Sequence, residues 1–246
     1  MKATEQKARA EDQRAGHAHD LDPCASCEAR TISVCNAIPD RDLSRLADIA
    51  HETMIETGRT FITEGDHADY FYNITAGTAR LYKLLPDGRR QITGFAHAGD
   101  FLGLAISTAY AFSAEAIEPV RICRFSRQDL RRLLDDFPEM EKRLLDAASN
   151  ELVAAQEQML LLGRKTARER LASFLLRQDR NDQDGPHLYL RMTRSDIADY
   201  LGLTIETVSR TFTRLRKEGL IDIPEPSMIN IQNRAALTQL AEGLAG

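Results

Sequence analysis

Residues 192–221 read MTRSDIADYLGLTIETVSRTFTRLRKEGLI, and this stretch decides the fold. Thr193 followed three residues on by Asp196 has the form of a capping box, in which side chain and backbone satisfy each other at a helix start. Ile197, Ala198 and Leu201 then share one face, Gly202 breaks the helix, and Thr204 caps a second helix running to about Glu218. Two short helices around a glycine turn make a helix-turn-helix. The spacing predicts Ile205, Val208, Phe212 and Leu215 inward and Glu206, Ser209, Arg210, Thr213 and Arg214 outward.

The outward residues suit base reading. Arg210 can donate two bonds to guanine O6 and N7, Glu206 can accept from cytosine N4, and Ser209 is short enough to sit beside a thymine methyl. Residues at i, i+3 and i+4 near a recognition helix N-terminus reach base edges together. Thr193, Thr204 and Thr207, with Arg214, Arg216 and Lys217, are expected to hold phosphates, which adds affinity without sequence information. The plainer alternative is an ordinary surface helix carrying a Glu206 to Arg210 ion pair. The upstream cluster Arg164, Lys165, Arg168 and Arg170 fits either phosphate contacts or a solvated face.

Upstream of this reader, Leu145, Ala148, Leu152, Ala155, Met159 and Leu162 alternate steps of three and four, the seam of a coiled coil. The long period after Pro138 contains no further Pro and no Gly before Gly163, and Ala at alternate seam positions lets two helix axes approach closely. Small knobs bury little area, so such a seam is weak and can be switched. A long helix packed on its own domain is the competing reading.

From about Gly58 to Phe125 the pattern is one of short strands: Phe61–Thr63, Tyr70–Ile74 and Ala79–Tyr82, separated by turn signals at Glu64-Gly65-Asp66, Ala76-Gly77-Thr78, Pro86-Asp87-Gly88 and Ala98-Gly99-Asp100. Strands at this spacing predict a sandwich or jelly roll, with a hairpin over Tyr82–Gln91. Before it, Leu43, Leu46, Ala47 and Ala50 predict a short amphipathic helix that lids the roll. The fold class is therefore α+β. It divides into a cysteine-bearing segment at 1–36, a β-roll sensor at 37–137, a dimerisation helix at 138–165 and a winged helix-turn-helix domain at 166–246.

The 246 residues are 43% apolar and 28% charged, with no apolar run long enough for a membrane span, which favours a globular protein of two modest domains. The amino terminus is polar where a secretory signal needs an apolar core, so a cytoplasmic protein without membrane partners is expected. The net charge of −5 is unevenly spread: residues 164–246 carry 13 basic against 11 acidic side chains, the rest 19 against 26. Local potential, not the total, governs nucleic-acid binding.

Residues 1–36 lack apolar periodicity and hold three of the four cysteines, so an agent other than a hydrophobic face is expected to order them. Cys24-x2-Cys27-x7-Cys35 places three thiols close together, and Cys123 lies in Val120–Phe125. As a strand, that run puts Cys123 on the face of Arg121 and Phe125, opposite Val120 and Ile122, toward a segment outside the roll. Four thiolates suit a tetrahedral zinc or an iron–sulfur cluster; thiol redox sensing and four unrelated cysteines are further readings. The histidines argue against a cupin-like metalloenzyme, because His51, His67 and His97 are isolated and His17-x-His19 sits in the terminal segment. No enzyme activity is expected.

Taken together, the glycine signals of the roll, the long helix and the ETVSR run resemble the Crp/Fnr superfamily of bacterial transcription regulators, from about residue 21 onward. Within it, Glu206, Ser209 and Arg210 match the FNR-type recognition helix, which implies double-stranded DNA with an inverted-repeat TTGAT-type operator, bound as a homodimer that engages RNA polymerase. The cyclic-AMP branch of the superfamily uses a Gly-Glu start and an Arg-Ser pair. Here Gly99-Asp100 and Phe112-Ser113 stand instead, and an aromatic ring cannot neutralise a cyclic phosphate, so no cyclic nucleotide is expected.

The resemblance also implies a role for the cysteines. Oxygen-sensing FNR proteins hold a 4Fe-4S cluster with three amino-terminal cysteines and one from the roll, positions that correspond to Cys24, Cys27, Cys35 and Cys123. One cluster per subunit would strengthen the seam and pair two recognition helices about 34 Å apart. Family members with an acidic seam residue use repulsion to oppose dimerisation; the corresponding position here is Ala155, so that device is absent. An iron-free regulator answering thiol oxidation or another ligand is the alternative.

Overall fold

The computed structural model describes residues 23–104, 108–181 and 187–244. His17 and His19, and the amino-terminal part of the 1–36 segment, lie outside these residues. Among the described residues eleven strands and seven α-helices follow one another from a short strap of 3-10 turns at Glu28–Ile32, Val34–Ala37 and Asp40–Asp42.

The roll consists of two four-stranded antiparallel sheets. The first has the order β1 (His51–Ile55), β8 (Val120–Ser126), β3 (Tyr70–Ala76), β6 (Phe101–Leu102), and the second β2 (Thr60–Ile62), β7 (Ser113–Ala116), β4 (Ala79–Leu84), β5 (Arg90–Ala96). Alternation along each strand fixes the two faces. In β8, Val120 and Ile122 enter the core between the sheets with Ile62, Ile74 and Leu81, while Phe125 and Cys123 face outward. The expected hairpin forms, with Leu84 opposite Arg90 across the Pro86-Asp87-Gly88 turn.

The outward face of the first sheet is covered by the strap, by α1 (Leu43–Ala47), by α2 (Arg127–Asp136) and by the start of α3 (Pro138–Arg164). Val34, Cys35 and Ile38 are buried there beside Phe101 and Phe125. This corrects the expectation that residues up to 36 have no apolar means of ordering. The strap lacks a period because it is irregular backbone, yet each fully buried Val or Ile contributes roughly 1.5–3 kcal/mol. Gly99 (φ +97) admits the closest approach: a Cβ built there would lie 3.0 Å from Cγ1 of Ile32.

After α3 the chain continues as α4 (Ala167–Asn181), β9 (Leu188–Tyr189), α5 (Arg194–Leu201), α6 (Ile205–Lys217), β10 (Ile221–Glu225), β11 (Met228–Ile231) and α7 (Arg234–Ala241). β10, β11 and β9 form the wing sheet. The reader's core is not closed on itself. Tyr82 and Ile92 of the roll hairpin are buried in the same cluster as Phe174, Leu201 and Phe212, and Phe95 packs its ring against Phe174 and Tyr200.

Candidate DNA interface and cysteine cavity

Helix α5 begins with the expected capping box. Thr193 Oγ1 accepts from the Asp196 backbone N–H at 3.1 Å, and Asp196 Oδ2 accepts from the Thr193 N–H at 3.0 Å. Gly202 ends it in the left-handed region (φ +61), and Thr204 caps α6 by accepting from the Thr207 N–H. On α6, Val208, Thr211, Phe212 and Leu215 are buried, and Glu206, Ser209, Arg210 and Thr213 are exposed. Ile205 departs from its expected inward position: it is 47% exposed. It occupies the first helical position, where the turn has not yet rotated onto the core.

Among the described residues Glu206 and Arg210 form no ion pair within 4 Å, although the Arg210 charge acts on the Glu206 carboxyl. The backbone N–H at the helix start and the Thr204 hydroxyl hold the Glu206 carboxyl below the usual carboxylate range, with Arg210 adding a smaller pull. An ionised carboxylate is the form that accepts from a base amino group. Arg216 and Lys217 are exposed. Arg214 is tied to Glu218 at 3.0 Å, and Arg168 shares that carboxylate.

Within the upstream basic cluster Arg164 is exposed, while its neighbours make internal contacts. Arg170 donates to the Lys165, Leu162 and Leu201 carbonyls at 2.9, 2.9 and 2.8 Å, joining the end of α3 to the end of α5, and Lys165 donates to Ser173. The other carbonyls at the end of α5 are also taken. Gln91 of the roll donates to Asp199 O at 2.7 Å and Gln158 of α3 to Tyr200 O at 2.9 Å. At the opposite end, Asp196 Oδ1 accepts from Arg80 at 2.8 Å and from Arg90 at 3.1 Å, and Arg90 also meets Asp199. Asp196 is almost wholly buried. Sequence reading gave Arg80, Arg90, Gln91 and Gln158 no role, because their partners lie about a hundred residues away or on another helix.

Along α3, Leu145, Leu152 and Met159 are more than 60% exposed, and Ala148 and Ala155 are exposed beside them. Val153 and Leu160 widen this apolar stripe. Leu162 is the seam position that differs: it is half-buried against the reader, where its Cδ2 would meet a Cβ on Gly202 at 3.2 Å. An unpartnered stripe of this length on one helix marks an interaction face.

All four cysteines line one cavity of about 440 Å³ between the strap and the first sheet. Cys24 and Cys35 are buried, Cys27 and Cys123 half-buried, and no disulfide joins them. Burial pushes the Cys35 thiol up to about 11, with the Ser33 hydrogen bond opposing, and burial together with the Cys27 and Cys35 sulfurs pushes Cys123 up to about 12. Asn73, on β3 opposite Cys123, donates from Nδ2 to Cys35 Sγ at 3.8 Å. Its Oδ1 is buried without a hydrogen-bond partner. Among the described residues no group of three or more His, Cys, Asp or Glu is close enough to hold a single metal ion, and no helix is long and apolar enough to cross a membrane.

A capped helix-turn-helix with a wing, joined by a long helix to an eight-stranded roll, defines a DNA-binding regulator with an attached sensor domain. Family comparison gives the same division: the Crp-like helix-turn-helix domain matches residues 169–240 and the cyclic nucleotide-binding domain residues 52–137. The nitrogen fixation regulation protein FixK of Bradyrhizobium diazoefficiens is 44% identical over 204 residues, 81% of this chain and 86% of its own. The transcriptional activator protein FnrL of Cereibacter sphaeroides is 35% identical over 229 residues, 90% of this chain and 92% of its own. The fumarate and nitrate reduction regulatory protein of Escherichia coli is 35% identical over 225 residues, covering 89% and 90%. The solved structure of FixK2 from Bradyrhizobium japonicum superposes with a TM-score of 0.75 at 38% identity, over 78% of this chain and 97% of that one. The chain belongs to the Crp/Fnr family of transcription regulators and is not an enzyme.

Proposed function

We propose that the chain is an oxygen-responsive regulator, chiefly an activator at low oxygen, that binds an inverted-repeat TTGAT-type operator as a homodimer while Cys24, Cys27, Cys35 and Cys123 hold a 4Fe-4S cluster. The observation that carries the sensing part is the shared cavity: three cysteines of the strap and one of β8 line the same space. Four thiolates are the ligand set of a 4Fe-4S cluster, and Cys24, Cys27, Cys35 and Cys123 would hold it. Asn73 Nδ2 already donates to the Cys35 sulfur in that space, which suits a thiolate ligand. When bound, the cluster supplies a redox-active, oxygen-labile centre.

The chain's own residues do the rest. The strap packs on the base of α3, so whatever fixes the four sulfurs fixes the strap against the helix bearing the exposed stripe. Leu145, Ala148, Leu152, Ala155 and Met159 supply the dimer face. The paired α6 helices enter successive major grooves, with Arg210 on guanine, Glu206 on cytosine and Ser209 beside thymine. Thr193, Thr204, Thr207, Arg216 and Lys217 hold phosphates, with Arg214 turning from Glu218 to do so. RNA polymerase is the remaining partner, and no cyclic nucleotide is expected, because Phe112 stands where the cyclic-AMP branch has an arginine.

Anaerobic purification tests the reading. A brown protein with four irons and four sulfides per chain, bleached by air with loss of operator affinity, is the expected result. A colourless protein with full operator affinity would favour the iron-free alternative. Thiol oxidation at Cys35 or Cys123 is slowed by their raised thiols, because the thiolate is the reactive form.

A further inference from the structure

We propose that Asn73 is a positioning residue for the cysteine-held cluster: its amide fixes the Cys35 sulfur through an N–H···S hydrogen bond and so sets the centre's reduction potential. The inference rests on the iron–sulfur reading above.

The placement is specific. Along β3, Tyr72 and Ile74 enter the core between the sheets, so Asn73 projects to the opposite face, the one covered by the strap. There it is 2% exposed, stands opposite Cys123 in the strand register, and lines the cavity with all four cysteines. Nδ2 reaches Cys35 Sγ at 3.8 Å while Oδ1 has no partner. A buried amide with an unused oxygen destabilises the fold relative to an apolar residue of the same shape. An amide at this position is therefore explained by what it does to the sulfur.

The direction follows from charge. A hydrogen bond to a charged acceptor is stronger than one to a neutral acceptor, so the N–H favours a thiolate ligand over a thiol. It also favours the electron-rich state of a centre whose sulfurs carry more negative charge when reduced, and hydrogen bonds to ligand sulfurs are among the determinants of such potentials. Asn73 is almost wholly buried, and leucine in its place fills the room that a water donor would need.

The test uses the full chain reconstituted anaerobically with iron and sulfide. Asn73→Leu keeps the shape and removes both N–H groups. The expected result is unchanged iron and sulfide per chain, a reduction potential moved to more negative values, Fe–S(Cys) stretching bands shifted upward in resonance Raman spectra, and bleaching in air several-fold faster. Should the leucine chain fail to fold or load, Asn73→Ser and Asn73→Ala carry the comparison. They differ by one hydroxyl donor, and the serine chain should lie nearer the wild type. A loaded wild type with variants of identical potential and Raman spectrum overturns the role of Asn73, as does an equal displacement of the serine and alanine chains, which would make the effect one of packing. A wild type that takes up neither iron nor sulfide overturns the cluster reading and this inference with it.

Discussion

Arg210 and Cys35 show how differently single residues can be exposed to their task. Arg210 stands on the open face of α6 with no internal ion pair, so its guanidinium is available at little cost. Arg210→Ala should weaken binding to a TTGAT-type site by about 1–3 kcal/mol while leaving binding to unrelated DNA nearly intact. Mobility shift with specific and scrambled duplexes at one salt concentration checks this; equal loss on both would make Arg210 a phosphate contact. Cys35 is the opposite case. Its thiol is raised from 9.0 to about 11 by burial, so in the metal-free chain the folded form keeps a proton that the unfolded form releases between those values. Stability is flat below pH 9 and falls as pH rises toward 11, by up to about 3 kcal/mol. Thermal melts of metal-free protein across that window should show the fall, and Cys35→Ala should lessen it, leaving the part that the raised Cys123 thiol supplies. Both residues were legible in the sequence as types at a spacing. Ile205 was misplaced because a helical period says nothing of the first turn, and Asn73 was missed because a lone Asn in a strand has no pattern.

Among the elements, α5 is held from several sides by side chains of others. Its capping box is shared with Arg80 and Arg90 of the roll hairpin, and its last carbonyls accept from Gln91, Gln158 and Arg170. Removing both arginines leaves the Asp196 charge buried with only its cap bonds, which costs about 3 kcal/mol. The Arg80→Ala, Arg90→Ala double variant should therefore show faster amide hydrogen exchange along α5 than along α7, which the roll does not touch at these residues. Unchanged exchange would mean that the hydrophobic contact of Tyr82 and Ile92 suffices. The long helix invites a second trial. Leu152→Glu puts a charge in the middle of the exposed stripe without touching the chain's own core, so sedimentation should find a monomer that keeps its fold and loses operator affinity. The sequence disclosed α3, α6 and the strands of the roll through their periods. It disclosed none of the side chains that clamp α5, since a contact across a hundred residues has no local signature.

For the whole molecule, an acidic chain carries a reader whose exposed Arg216 and Lys217 act locally. In a symmetric dimer one substitution removes two contacts. Lys217→Ala should make the dependence of log K on log salt shallower by about 2, with the ratio of specific to nonspecific binding unchanged. Fluorescence anisotropy over a salt series checks it; an unaltered slope would free Lys217 from any phosphate role. The strap was visible only as a cysteine spacing, because irregular backbone held by Val34 and Ile38 shows no period. Its docking on Gly99 and the base of α3 has a further consequence. A segment joined to its own binding surface by a few residues meets it at an effective concentration in about the millimolar range. Diluting the protein thus separates subunits long before it separates strap from roll. A cell holding few copies of the chain would still have every copy's sensor assembled, with abundance limiting only how many of them find a second subunit.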